Sequence, residues 1–164
     1  SGFVPHSEVI GCPEGTTART TRGQGYIVLR PTLSDFILKM PRGAQVIYPK
    51  DIGPILMLAD ISPGMRILES GEEVDRVVLD LPEPWRVVPH AATAMRPGGI
   101  IVAYTPSVIQ VSQLREALDR SAFFGAETVE IMQRGWYVEG HAVRPDHRMV
   151  AHTGFLTHAR LGVS

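Results

Sequence analysis

The spacing of apolar residues divides the chain into a short opening module and a longer alternating section. Thr16 to Thr21 is rich in β-branched residues, Arg22-Gly23-Gln24-Gly25 has turn chemistry, and Tyr26 to Leu29 is apolar again. The opening therefore reads as two short strands around a turn. Thr32 followed by Asp35 has the form of a capping box, and Leu33, Phe36, Ile37 and Met40 repeat at helical spacing. That pattern predicts a helix ended by Pro41. Ile52, Ile55, Leu56 and Ala59 predict a second helix, and Arg66 to Glu69 a short strand. The continuous run Arg76 to Asp80 reads as a strand buried on both faces. Val88 to Met95 predicts a helix stopped by Pro97-Gly98-Gly99, with a buried strand following over Ile100 to Tyr104. Val108, Val111, Leu114, Ala117 and Leu118 predict a longer helix. Thr128 to Met132, Trp136 to Val143 and Gly154 to Thr157 predict the closing strands. This alternation predicts an α/β fold, a doubly wound sheet finished by antiparallel strands.

One interval breaks the pattern. Only Ser70 to Asp75 separate the strand ending at Glu69 from the strand opening at Arg76. Two parallel strands need a crossover of about a dozen residues or more, whereas six could close an antiparallel hairpin. Both strands, however, end in an acidic residue followed by loop chemistry, as do strands that place functional groups at one carboxyl edge. The favoured reading is that a central segment is missing near Gly71–Glu72.

Composition narrows the class. With 164 residues, 44% hydrophobic and 20% charged, the chain has the make-up of an ordinary globular protein and too much apolar content for disorder. No apolar run approaches the roughly 18 residues of a membrane span. Ser1 to His6 lacks the basic region and apolar core of a signal peptide. One cysteine, Cys12, cannot form an internal disulfide, which favours a reducing, cytoplasmic setting. A net charge of −1 gives no overall pull on phosphates, but residues 1–50 carry six basic and three acidic side chains. Fluctuation among solvated faces is the better reading of so small an excess, and a basic front end would also suit a polyanionic substrate.

The strongest chemical signal is Asp80-Leu81-Pro82-Glu83-Pro84-Trp85 after the buried strand. A carboxylate at a strand end, followed by a proline-stiffened turn and an aromatic, places a rigid acceptor beside a flat surface. A nucleobase suits such a corner, and a structural turn with a packing tryptophan is the competing reading of equal weight. Ile67-Leu68-Glu69-Ser70-Gly71 has the form of a strand entering a nucleotide-binding loop, with one glycine only, and by itself reads equally as a strand and turn. Tyr48-Pro49-Lys50-Asp51 is a stiff turn in which Tyr48 could wall a pocket or simply precede a helix. His141, His147, His152 and His158 are irregularly spaced without a cysteine partner, so no metal is expected. Cys12 has no evident base beside it, and no nucleophile elbow is present.

Taken together, these segments resemble the bacterial tRNA (adenine-58-N1)-methyltransferases, class I enzymes dependent on S-adenosylmethionine. The resemblance runs through Arg30 to Asp35, Met40 to Asp51, Arg66 to Gly71, Val74 to Trp85, Gln133 to Trp136 and Val143 to Pro145, in order. It implies a Rossmann-like class I methyltransferase sheet over residues 43–164, preceded by a small β module with a linking helix over residues 1–42. In the family the segment matching Leu68 to Gly71 continues into more glycines, a helix, an acidic ribose-binding strand end and another helix, all absent here. The resemblance further implies Asp80 and Tyr48 as catalytic residues and Glu69, Ser70, Gly71 and Asp80 as the cofactor edge. Tyr48, Pro82, Trp85 and Arg134 would contact tRNA, and the assembly would be a homotetramer. Two rival readings remain: a non-catalytic tRNA-binding subunit that has lost its cofactor site, and a nicotinamide-dependent oxidoreductase. The absence of Gly-x-Gly-x-x-Gly weighs against the latter.

Overall fold

The structure, a computed structural model, describes residues 2–41, 46–67 and 74–162. The chain divides into two units, Ser1–Val46 and Ile47–Ser164. In the first, β1 (Thr17–Arg19) and β2 (Gly25–Ile27) pair antiparallel with Thr17 opposite Ile27. Their turn needs Gly23, whose φ of 82° is costly for any side chain. Thr20 Oγ1 accepts from the Gln24 amide at 3.1 Å and closes the same turn. The second strand is shorter than the apolar run suggested, although the Val28 amide still reaches Thr16 O at 2.9 Å. α1 (Leu33–Lys39) starts at the expected capping box, with Asp35 N donating to Thr32 Oγ1 and Thr32 N to Asp35 Oδ2, each at 3.1 Å. Its apolar residues Leu33, Phe36 and Leu38 are exposed.

The second unit is built on a four-stranded sheet. α2 (Pro49–Leu58) precedes β3 (Val74–Leu79), and α3 (Val88–Ala94) carries the chain to β4 (Met95–Thr105), parallel to β3. α4 (Val108–Asp119) follows, its amino end capped by Ser107 Oγ accepting from Gln110 N at 3.3 Å. β5 (Phe123–Glu130), the hairpin β6 (Trp136–Glu139) and β7 (Ala142–Pro145), and β8 (Phe155–Leu161) complete the unit. The sheet order is β3-β4-β8-β5, and β8 runs antiparallel to both neighbours.

Alternation along β4 decides what covers each face. Ile101 and Ala103 pack with Val77, Leu79, Val88, Leu114 and Leu118 against α3 and α4. Ile100, Val102 and Tyr104 pack with Ile55 and Ala59 of the α2 segment. Each fully buried Ile, Leu or Val contributes about 1.5–3 kcal/mol, so these two clusters hold the sheet.

Several details differ from what the sequence suggested. Pro97-Gly98-Gly99 does not stop α3; the helix ends at Ala94, and these residues lie within β4 opposite a register shift between Val74 and Arg76. Gly98 takes a φ of 81°, and a Cβ on Gly99 would lie only 3.0 Å from Asp75 O, so glycine is required for the irregularity. Trp136 to Val143 is not one strand, because Gly140 (φ 54°) turns the chain back into β7. The strand expected over Thr128 to Met132 begins earlier, at Phe123, and ends at Glu130. The hairpin that six residues could close before β3 does not form: Ile67 makes a parallel bridge to Arg76.

Candidate active site

β3 and β4 are adjacent and parallel, so their carboxyl ends share one edge of the sheet. Backbone geometry carries Asp80 out of the end of β3 into solvent, and among the described residues no group hydrogen-bonds its carboxylate. Protein on its inner side withdraws part of its solvation and holds the carboxyl above the ordinary carboxylate range. The turn after it is rigid: Pro84 is buried, Trp85 is half-buried in a 3-10 turn over Pro84–Arg86, and Gln110 Nε2 donates to Pro82 O at 2.9 Å. Thus the first turn of α4 fixes the loop that follows Asp80.

Tyr48 is the residue before α2, whose helical φ is preset by Pro49 in its first turn. The Asp51 amide returns to Tyr48 O at 2.8 Å. Tyr48 makes no capping bond through its side chain, which leaves the ring free for other contacts. The Lys50 and Asp51 side chains lie inside the protein, 5% and 0% exposed, with Nζ to Oδ1 at 2.8 Å. Lys50 Nζ also donates to Ile131 O at 2.5 Å, and Thr153 Oγ1 donates to Asp51 Oδ2 at 2.7 Å.

Tyr104, near the end of β4, joins the two halves of the site. Its ring is buried and its hydroxyl donates to Thr153 O. Burial pushes the phenol up, partly offset by the hydrogen bond to Thr153, and the charges of Asp51 and Asp80 add to the rise. Sequence reasoning missed Tyr104: it follows Ala103, the partner of Leu79, so it lies beside the end of β3 that carries Asp80, and Thr153 links it to Asp51 in the segment that Tyr48 opens. Beyond Tyr104, His152 hydrogen-bonds Glu130 Oε1 through Nδ1 at 2.6 Å and Pro106 O through Nε2 at 3.2 Å. The Glu130 carboxylate, followed by the Pro106 carbonyl, raises the imidazole above its ordinary value.

The other expected residues fare differently. Glu69, Ser70 and Gly71 lie outside the described residues, while Arg134 is exposed ahead of β6. Among the described residues no contact ties Arg134 to Asp80 or Tyr48, and no three His, Cys, Asp or Glu side chains stand where they could hold a metal. Ile67, the last described residue before Glu69-Ser70-Gly71, makes an isolated parallel bridge to Arg76 of β3. The carboxyl ends of adjacent parallel strands are where sheets of this kind bind nucleotide-like ligands, and the exposed Asp80 carboxylate at that edge is suited to accept from a ligand's amine or hydroxyl group.

This sheet, with its edge of acid and tyrosines, has the architecture of a class I methyltransferase. A solved S-adenosylmethionine-dependent O-methyltransferase from Thermotoga maritima superposes with a TM-score of 0.93, covering 99% of this chain and 83% of that one at 24% identity. A tRNA (m1A58) methyltransferase TrmI from Aquifex aeolicus superposes with a TM-score of 0.83, covering 96% and 85%, also at 24% identity. Residues 71–144 match the family model described as the tRNA methyltransferase complex GCD14 subunit. The tRNA (adenine(58)-N(1))-methyltransferase TrmI of Thermus thermophilus is 30% identical over 97% of this chain and 86% of its own length. The chain belongs to the tRNA (adenine-58-N1)-methyltransferase family. The alignment to the Thermus relative extends over 219 positions against 164 residues here, which leaves at least 55 positions without a counterpart.

Proposed function

We propose that the chain methylates N1 of the adenine at position 58 of tRNA, with S-adenosylmethionine as donor. The observation that supports this reading, in a member of this family, is that Asp80 and Tyr104 follow the paired residues Leu79 and Ala103 at the neighbouring carboxyl ends of β3 and β4. The cofactor supplies a methyl group on a sulfonium, and Glu69, Ser70, Gly71 and Asp80 are the residues that would hold it. Adenine N1 already carries a lone pair, so the protein needs no strong base; its task is to orient N1 toward the methyl group. Asp80 accepts from the exocyclic amine, orienting the base and stabilising the positive charge that spreads over the amidine unit as N1 is alkylated. Tyr48 packs on the extracted adenine and offsets part of the unstacking cost. Pro82 and Trp85 wall the same corner, and Arg134 holds a tRNA phosphate.

The reading includes a homotetramer acting in the cytoplasm. Support for assembly comes from the β6–β7 hairpin, where Trp136 (60% exposed), Val138 and Val143 face solvent. A two-stranded hairpin is marginal alone, and apolar side chains of this size gain most by meeting another surface. Among the described residues no helix is long and apolar enough to span a membrane.

The test is incubation with tRNA and S-adenosylmethionine, followed by nuclease digestion and mass spectrometry. N1-methyladenosine is expected at position 58 and absent from a transcript with another base there. No N1-methyladenosine in the first transcript refutes the assignment.

A further inference from the structure

The polar groups beneath the site form one connected chain, and its composition is informative. Lys50 Nζ binds Asp51 Oδ1, Asp51 Oδ2 receives the Thr153 hydroxyl, and Thr153 O receives the Tyr104 hydroxyl. Next to Thr153, Gly154 is buried against the Tyr104 ring, and a Cβ there would overlap Cζ, Cε2 and the hydroxyl. Segment 153–154 thus touches the phenol from two sides, by a hydrogen bond and by a close backbone approach that only glycine permits.

Stability is a poor explanation for such a chain. A buried ion pair is commonly no more stabilising than apolar residues of the same volume, because desolvation offsets the Coulombic gain. What a fully hydrogen-bonded buried pair does supply is a single geometry. Here that geometry links the start of α2, where Tyr48 sits, to the end of β4, where Tyr104 sits, through a residue 102 positions from Asp51.

We propose that Thr153 and Gly154 form a seat for the Tyr104 phenol, clamped by the Asp51–Lys50 pair, which positions Tyr104 against the adenine corner of Asp80 and Tyr48. The inference rests on the methyltransferase reading. Thr153, Gly154, Asp51 and Lys50 are positioning residues that act through Tyr104, not groups that touch the substrate. Removing the Thr153 hydroxyl leaves one Asp51 oxygen without its donor, and adding a methyl at residue 154 displaces the ring.

The test measures kcat and KM for tRNA in Thr153→Val, Gly154→Ala and Thr153→Ser, alone and with Tyr104→Phe. Thr153→Val and Gly154→Ala are each expected to lower kcat about tenfold or more, with KM for tRNA within about twofold of wild type. Thr153→Ser, which restores the hydroxyl, recovers most of the loss. In the Tyr104→Phe background Thr153→Val costs less than about twofold more, since residues acting through one group are not additive. Unchanged kcat in both single variants overturns the seat, as does a tenfold loss that persists without the Tyr104 hydroxyl. A wild-type chain that forms no N1-methyladenosine refutes the methyltransferase reading instead. The seat is then judged by ultraviolet titration of the phenols: Gly154→Ala should bring one tyrosine ionisation down toward the ordinary value, and an unchanged titration overturns it.

Discussion

Replacing Asp80 with asparagine separates its chemical role from any structural one. The side chain is exposed at the end of β3 and no described group hydrogen-bonds it, so asparagine fits without disturbing a partner. The change removes the negative charge that would face the amidine unit as N1 acquires its methyl group. Preorganised stabilisation of that kind is worth about 2–4 kcal/mol, which converts to a fall in kcat of roughly 30- to 1,000-fold. Affinity for tRNA, which rests mainly on phosphate contacts, changes little. The stability effect has the opposite sign. Partial desolvation raises the folded carboxyl above its unfolded value, so at neutral pH ionised Asp80 costs stability, and Asp80→Asn removes that cost. Single-turnover methylation with thermal denaturation on the same samples reads both. The expected result is slow transfer with an undiminished Tm, and an acid limb of the wild-type profile above the ordinary carboxylate range. Full-speed transfer by Asp80→Asn, or a loss of rate matched by a fall in Tm, would remove Asp80 from the chemistry.

Three further outcomes follow from the same structure. Leu114, 1% exposed in the cluster beneath α4, should cost about 2–5 kcal/mol as Leu114→Ala in denaturant unfolding, mostly through the cavity left behind. Asp75 accepts from the Arg66 amide at 3.0 Å and pairs with Arg96 and Arg66, which holds its carboxyl below the ordinary range. Its contribution is therefore present above the unfolded carboxylate value and lost as pH falls through the lowered one; Asp75→Asn should flatten that acid limb of a stability-against-pH curve. Arg134→Ala should reduce the slope of log affinity for tRNA against log salt by about one phosphate contact, and an unchanged slope would take Arg134 off the tRNA path.

Local chemistry made much of the frame legible. Thr32 and Asp35 form the capping box their spacing announces, and the Leu114–Leu118 face of α4 is buried as its period requires. Asp80 and Tyr48 stood out in the sequence as candidates because each sits beside proline-stiffened backbone at the end or start of an element. Tyr104 was not, because it reads as one more residue of a buried strand until its partner, 49 positions on, is known. The Lys50–Ile131 and Asp51–Thr153 bonds are equally silent, since no periodicity links residues so far apart. Pro97-Gly98-Gly99 misled for a different reason: the residues that end a helix are also those that allow a strand to bulge against Asp75 O.

The position of β8 has a consequence for how the protein comes into being. This strand, Phe155–Leu161, lies between β4 and β5 and is hydrogen-bonded to both. During synthesis, β4 and β5 leave the ribosome before the element that joins them exists, and each waits with an unsatisfied backbone edge. The sheet closes only when Leu161 has emerged. Until then α2 and α4 can cover the two faces but nothing joins β4 to β5, so chains cut short before residue 155 are expected to aggregate rather than persist as smaller folded proteins.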